Sequence, residues 1–139
     1  MNDNDTRPAA QVWPTLIYAE ARAAIRFLVD GFGFVESLVV PNDADDSVVE
    51  HAELTWPEGG GVMLGSADRP GNPFAQRPTG ASSVYVVTTD PDAVHDRAVS
   101  FGAVVVAPLV AKDYGGRGFS VTDPEGNLWS FGSYGGEPA

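Results

Sequence analysis

His51 and Glu53 are alternate residues of the apolar run Val48-Val49-Glu50-His51-Ala52-Glu53-Leu54-Thr55-Trp56, and alternate residues of a strand project from one face. Such a pair can serve as a general base with its orienting carboxylate, or as two ligands of a displaced metal site. It can also form a mutually hydrogen-bonded patch of pocket lining. A closed zinc or iron site needs three or four ligands, and the other histidine, His95, falls in a helical pattern, so the pocket-lining reading is preferred. Tyr114 and Arg117 frame the glycine-rich Tyr114-Gly115-Gly116-Arg117-Gly118. There a movable rim can set a phenol and a guanidinium over a ligand's carbonyl or carboxylate, or the glycines can simply allow a bend with Arg117 in solvent. Trp13, Trp56 and Trp129 lie on or at the ends of predicted strands, where an indole is either core filler or a stacking platform. Trp129 alternates with Ser130 and is expected in the core. Trp13 and Trp56 stay open as pocket residues, and Tyr85 shares a face with Ser83.

Strands and helices must hold these groups. Ala21, Ile25, Leu28 and Phe32 form one helical stripe that Gly33 ends. Asp90 is a good N-cap, Pro91 suits the first helical position, and Val94, Ala98 and Phe101 make a second stripe closed by Gly102. Superposing Phe32-Gly33 on Phe101-Gly102 reveals two copies of one layout. Strands are expected over 12–19, 34–40, 48–56 and 61–66, then over 82–89, 103–110, 118–122 and 127–133. Each copy is a βαβββ unit. One helix leaves the other face of its sheet bare, so two units are expected to pair in an α+β domain, with curved sheet around a cavity. Module one covers 12–66, a Pro- and Gly-rich linker 67–80, and module two 81–134. Loose tails are expected at 1–11 and 135–139.

Composition excludes several function classes. A net charge of −11 with eight basic residues disfavours nucleic acid and anionic membrane surfaces. The absence of cysteine removes disulfides, thiol nucleophiles and thiolate ligands. The polar start of the chain reads as neither a signal peptide nor an anchor, so a cytoplasmic protein is expected. No phosphate-binding glycine loop or nucleophile elbow is written. Asp43, Asp45 and Asp46 lack the glycine and terminal glutamate of a calcium loop and read as a solvated turn.

The most informative stretch is Asp123-Pro124-Glu125-Gly126-Asn127-Leu128-Trp129-Ser130, a turn with apolar alternation on both sides. It resembles the C-terminal hairpin of the glyoxalase, bleomycin-resistance and extradiol-dioxygenase superfamily, the vicinal oxygen chelate proteins. In metal-dependent members the place of Ser130 holds a metal-binding glutamate. The resemblance puts the other ligand positions at or next to Trp13, at or next to Ser83, and near Leu64 or Gly65, none of which supplies a good ligand. It therefore implies no metal ligands, with Zn, Ni, Mn or Fe at other residues left open, and likeness to the metal-free bleomycin-resistance branch. Such a protein would be a homodimer that sequesters an aromatic or amphipathic small molecule. Trp13, His51, Glu53, Trp56, Tyr85, Tyr114, Arg117 and Ser130 are the candidate pocket residues. The alternative is a lyase, isomerase or dioxygenase working through a non-standard metal or through His51 and Glu53.

Overall fold

Strand alternation and glycine-ended helices build two copies of the same four-stranded mixed sheet in the computed structural model, which describes residues 10–138. The N-terminal tail expected over 1–11 lies outside those residues except for Ala10 and Gln11. Sheet one contains β1 (Thr15–Tyr18), β2 (Val35–Pro41), β3 (Val49–Thr55) and β4 (Gly61–Ser66), in the order β1-β4-β3-β2. Sheet two repeats this order with β5 (Ser83–Val87), β6 (Val104–Ala111), β7 (Arg117–Thr122) and β8 (Leu128–Gly132), as β5-β8-β7-β6. In each, the first strand pairs parallel with the fourth and the others pair antiparallel. Helix α1 (Ala21–Arg26) and the π-helical turn Phe27–Phe32 follow β1, and α2 (Pro91–Ser100) follows β5.

β1 starts three residues later than its apolar pattern suggests. Pro14 has no N–H to give a ladder, and Trp13 instead folds its indole onto Gly61 and donates Nε1–H to the Ala10 carbonyl at 3.1 Å. The helix ends follow the glycine signals. Gly33 (φ 104°) and Gly102 (φ 98°) both adopt the left-handed conformation. The Asp90 side chain accepts from the Ala93 N–H at 3.1 Å, with Pro91 at the start of α2. The π-helical turn is not legible in the sequence. Its extra residue brings both Phe27 and Phe32 onto the buried side, their rings 5.1 Å apart.

The two modules meet through their helix-bearing faces. Leu16, Tyr18, Ala52, Leu54, Val62 and Leu64 of sheet one, and Val86, Phe119, Val121, Trp129 and Phe131 of sheet two, join the helices in one continuous core. Phe32 of module one lies 4.8 Å from the Phe131 ring and 5.4 Å from the Trp129 ring of module two, an aromatic weld with tilted and edge-on geometry. The opposite face of each sheet carries no helix and stands open.

Candidate functional site

The open face of sheet one follows from its register. β4 presents Gly61, Met63 and Gly65, while Val62 and Leu64 point into the core. Beside them on β3 stand Thr55, Glu53 and His51, and on β2 the exposed Val35, Leu38 and Val40, which pair with those three in turn. His51 Nε2 and a Glu53 carboxylate oxygen lie 2.8 Å apart, with both side chains about a third exposed. The two glycines leave room that other side chains fill. The Trp13 ring covers Gly61, and the guanidinium of Arg69 covers Gly65, its Nη2 only 2.7 Å from where a β-carbon would sit.

Arg69 comes from the linker and is nine-tenths buried. Its Nε–H donates to the Ser66 carbonyl at 2.7 Å, and Nη1 donates to the Glu50 carbonyl at 2.7 Å and the Glu50 carboxylate at 3.2 Å. Hydrogen bonds from Asn42 and then from Arg69 hold the Glu50 carboxyl below its ordinary range. Sequence reasoning misses Arg69. The one signal it offers is an arginine among prolines and glycines, which reads as a solvated charge until the chain is folded.

On sheet two, Tyr85, Ser130 and Ser120 lie in one row across β5, β8 and β7. The two serine hydroxyls are 2.7 Å apart. Tyr85 lies over Gly132 and donates its hydroxyl to the Tyr134 carbonyl at 2.7 Å; burial, with the neighbouring Tyr114, pushes its pKa up. Tyr114 packs edge-on against Tyr134 at 5.1 Å. These groups border a small cavity of about 80 Å³ between the serines and the rim, and an apolar groove of about 570 Å³ lined by Tyr85, Val87, Tyr114, Tyr134, Gly135 and Gly136. Exposed Val87, Val104, Val106, Val110 and Leu128 complete the face.

Of the residues singled out in the sequence, Trp13, His51 and Glu53 gather on one open face, and Tyr85, Ser130 and Tyr114 on the other. Two go elsewhere. Trp56 is buried at 7% exposure on the core side, 5.0 Å from the Phe34 ring, and donates Nε1–H to the Val87 carbonyl of module two at 3.0 Å. Arg117 alternates with Gly118 and turns toward α2, donating Nε–H to Asp92 at 2.8 Å. That bond raises the guanidinium pKa and lowers that of the Asp92 carboxyl. Its charge is thus engaged by a helix, while the residue itself lines the small cavity together with Tyr85 and Ser130.

The family model of the Glyoxalase/Bleomycin resistance protein/Dioxygenase superfamily matches residues 10–131. The chain belongs to this superfamily. Among curated relatives, the uncharacterized Mycobacterium bovis protein Mb0911c is 35% identical over 125 residues, covering 86% of this chain and 80% of that one. The crystal structure of TioX from Micromonospora sp. ML1 is 31% identical and superposes with a TM-score of 0.74 over 89% of this chain and 98% of that one. A glyoxalase/bleomycin resistance protein from Streptomyces sp. CB03234, 22% identical with a TM-score of 0.64 over 88% of this chain and 99% of its own, shares the fold.

Members of this superfamily often bind a divalent metal, and the register locates the corresponding positions. Met63 neighbours Thr15 and Glu53 as Ser130 neighbours Tyr85 and Ser120, so Met63, rather than Leu64 or Gly65, is the counterpart of Ser130. A thioether, two serine hydroxyls at 83 and 130, and the Trp13 indole offer no anionic oxygen or imidazole, so this donor set does not fit Zn, Ni, Mn or Fe(II). Among the described residues no three His, Asp or Glu side chains gather into a group. No described helix is long and apolar enough to cross a membrane.

Proposed function

We propose that this glyoxalase-superfamily protein binds and sequesters an aromatic or amphipathic small molecule, as a cytoplasmic homodimer in which the open sheet faces of two protomers enclose the ligand. The observation that carries the reading is the pair of helix-free faces, apolar for most of their area and bearing a few hydrogen-bonding groups. Exposed valines and leucines supply walls, Trp13, Tyr85 and Tyr114 supply rings to stack on, and the His51–Glu53 and Ser120–Ser130 pairs supply orientation. Unpartnered apolar sheet faces of this extent are poorly suited to water, which supports a second copy as their cover.

The test is sedimentation equilibrium together with fluorescence titration against a panel of planar hydrophobic compounds. A dimer that binds at one site per protomer, with binding weakened at least tenfold by Trp13→Ala or Tyr85→Ala, is the expected result. A monomer that binds nothing in the panel overturns the proposal. A second reading rests on the His51–Glu53 contact, since a carboxylate 2.8 Å from an imidazole nitrogen can hold the ring as a general base. That reading predicts turnover abolished by His51→Ala, and Glu53→Gln slowing turnover without weakening binding.

A further inference from the structure

We infer that the ligand of the open face of sheet two is a flat aromatic molecule ending in a hydrogen-bond acceptor. Its carbonyl or carboxylate oxygen enters the small cavity lined by Ser120, Ser130 and Lys112, and its rings lie in the tyrosine-lined groove. The inference rests on the binding reading above and names the chemistry that this face selects. The cavity and the groove share three walls, Tyr85, Tyr114 and Tyr134. Val87, Gly135 and Gly136 complete the groove, whose volume of about 570 Å³ and apolar lining suit a fused ring system. The cavity is different. Gly118 and Gly132, paired across β7 and β8, contribute no side chains to it, and its volume of about 80 Å³ suits one small polar group.

The polar lining of that cavity is short of acceptors. The Ser120 and Ser130 hydroxyls lie 2.7 Å apart and have no other side-chain partner among the described residues, so one donates to the other and one proton is left over. The Tyr85 hydroxyl is already engaged by the Tyr134 carbonyl. Lys112, half-buried, makes no ion pair among the described residues, whereas Arg117 is held by Asp92. Among the described residues that line the space there is no carboxylate, amide or imidazole side chain. A spare hydroxyl proton beside an unpaired cation calls for an oxygen acceptor. The matching row of sheet one has the opposite character. There Met63 and Glu53 stand where Ser130 and Ser120 stand here, and the Glu53 carboxylate is itself an acceptor, in contact with His51. The two faces therefore do not select the same end of a ligand.

The decisive probes are methyl naphthyl ketone and isopropenylnaphthalene, both substituted at the β position, flat molecules of one shape in which a carbonyl oxygen replaces a methylene carbon. Equilibrium dialysis is expected to show both binding to the wild-type protein. The double variant Ser120→Ala/Ser130→Ala is expected to weaken the ketone about fivefold, one hydrogen bond's worth of affinity. It is expected to hold the hydrocarbon at least as well as wild type does, which also shows that the variant folds and keeps its groove. Ser120→Ala alone and Ser130→Ala alone are expected to leave the ketone's affinity nearly unchanged, because the hydroxyl that remains keeps a free proton. Naphthoate separates the two acceptors. A carboxylate end predicts naphthoate binding tighter than the ketone, with the advantage lost in Lys112→Gln, and a neutral carbonyl end predicts the ketone binding tighter. Ketone binding that is unchanged in the double variant, or weakened as much by either single substitution, overturns this inference and leaves sequestration standing. If neither the ketone nor the hydrocarbon binds the wild-type protein, both fall.

Discussion

The corresponding β3–β4 and β7–β8 turns share a Pro-Glu-Gly centre and differ at their first and fifth residues. Trp56-Pro57-Glu58-Gly59-Gly60 in module one and Asp123-Pro124-Glu125-Gly126-Asn127 in module two close with the same pair of bonds. The first residue's N–H reaches the fifth residue's carbonyl, and the fourth residue's N–H reaches the first residue's carbonyl, all at 2.9–3.0 Å. Each glutamate then reaches across to the other module. Glu125 accepts from the Ala19 and Glu20 N–H groups at 2.7 and 2.9 Å, just before α1, and Glu58 accepts from the Thr89 N–H at 2.8 Å, just before α2. The leading residue has diverged. Asp123, 5% exposed, gathers the Tyr18 hydroxyl at 2.7 Å, the Trp129 indole N–H at 3.0 Å and the Asn127 amide at 3.1 Å, whereas Trp56 fills its place with a ring and a single donated bond. One clasp is therefore polar and the other apolar, closed by the same pair of backbone bonds.

Breaking the polar clasp is expected to have the largest effect. Asp123→Ala strands three buried side-chain donors and is expected to cost about 4 kcal/mol in urea unfolding. Tyr18→Phe removes only one of the donors and is expected to cost about 1 kcal/mol. Burial first, and then the Asp123 carboxylate, keep the Tyr18 hydroxyl protonated far above its ordinary range, so it remains a donor at any pH the fold survives. Equal costs for the two substitutions would mean that Asp123 is no hub.

The apolar clasp is expected to be intermediate. Trp56→Phe keeps contact with Phe34 and Phe131 but forfeits the bond to the Val87 carbonyl, for a loss of about 1–2 kcal/mol. A larger loss than for Asp123→Ala would invert the comparison. The glutamates sharpen it through pH. Burial works to raise the Glu58 pKa, but hydrogen bonds from Thr89 and its neighbours outweigh it and leave the folded value below the ordinary 4.5. The stabilisation from Glu58 is then complete above about pH 4.5 and is lost as pH falls through the lower folded value. Glu58→Gln is expected to flatten that part of the acid unfolding profile, and an unchanged profile would remove Glu58 from the clasp. The smallest effect on stability is expected for Arg117→Ala, which loosens the exposed contact with Asp92 and costs less in urea unfolding than Tyr18→Phe. A loss as large as that for Asp123→Ala would make the Arg117–Asp92 contact part of the clasp.

What could be read in the sequence follows the range of the interactions. Strand alternation, the glycine ends at Gly33 and Gly102, and the Asp90-Pro91 helix start are local, and they appear close to where their spacing puts them. Trp129 lies fully buried because its alternation with Ser130 is also local. The Tyr18–Asp123 bond spans 105 residues and leaves no periodic trace, so Asp123 reads as turn chemistry alone. Trp56 sits just past the end of β3, where alternation does not decide its direction, and only the approach of Phe34 and Val87 takes it inward. Arg69 is the extreme case. Its environment is made from Ser66, Glu50 and the absent side chain of Gly65, none of which marks a linker arginine as a buried residue.

The reciprocal grip of the hairpins bears on how this polypeptide can be cut. Each half carries, in its own turn, the clamp for the other half's helix, and Phe32 finds its aromatic neighbours Trp129 and Phe131 only across the junction. A nick at the exposed Gly71 of the connector would leave every one of those contacts in place, so the two fragments should stay together as a reconstituted whole. Either fragment expressed by itself would present the weld to water. That makes the pair a natural candidate for split-reporter complementation, in which partners that bring the halves together replace the covalent connection.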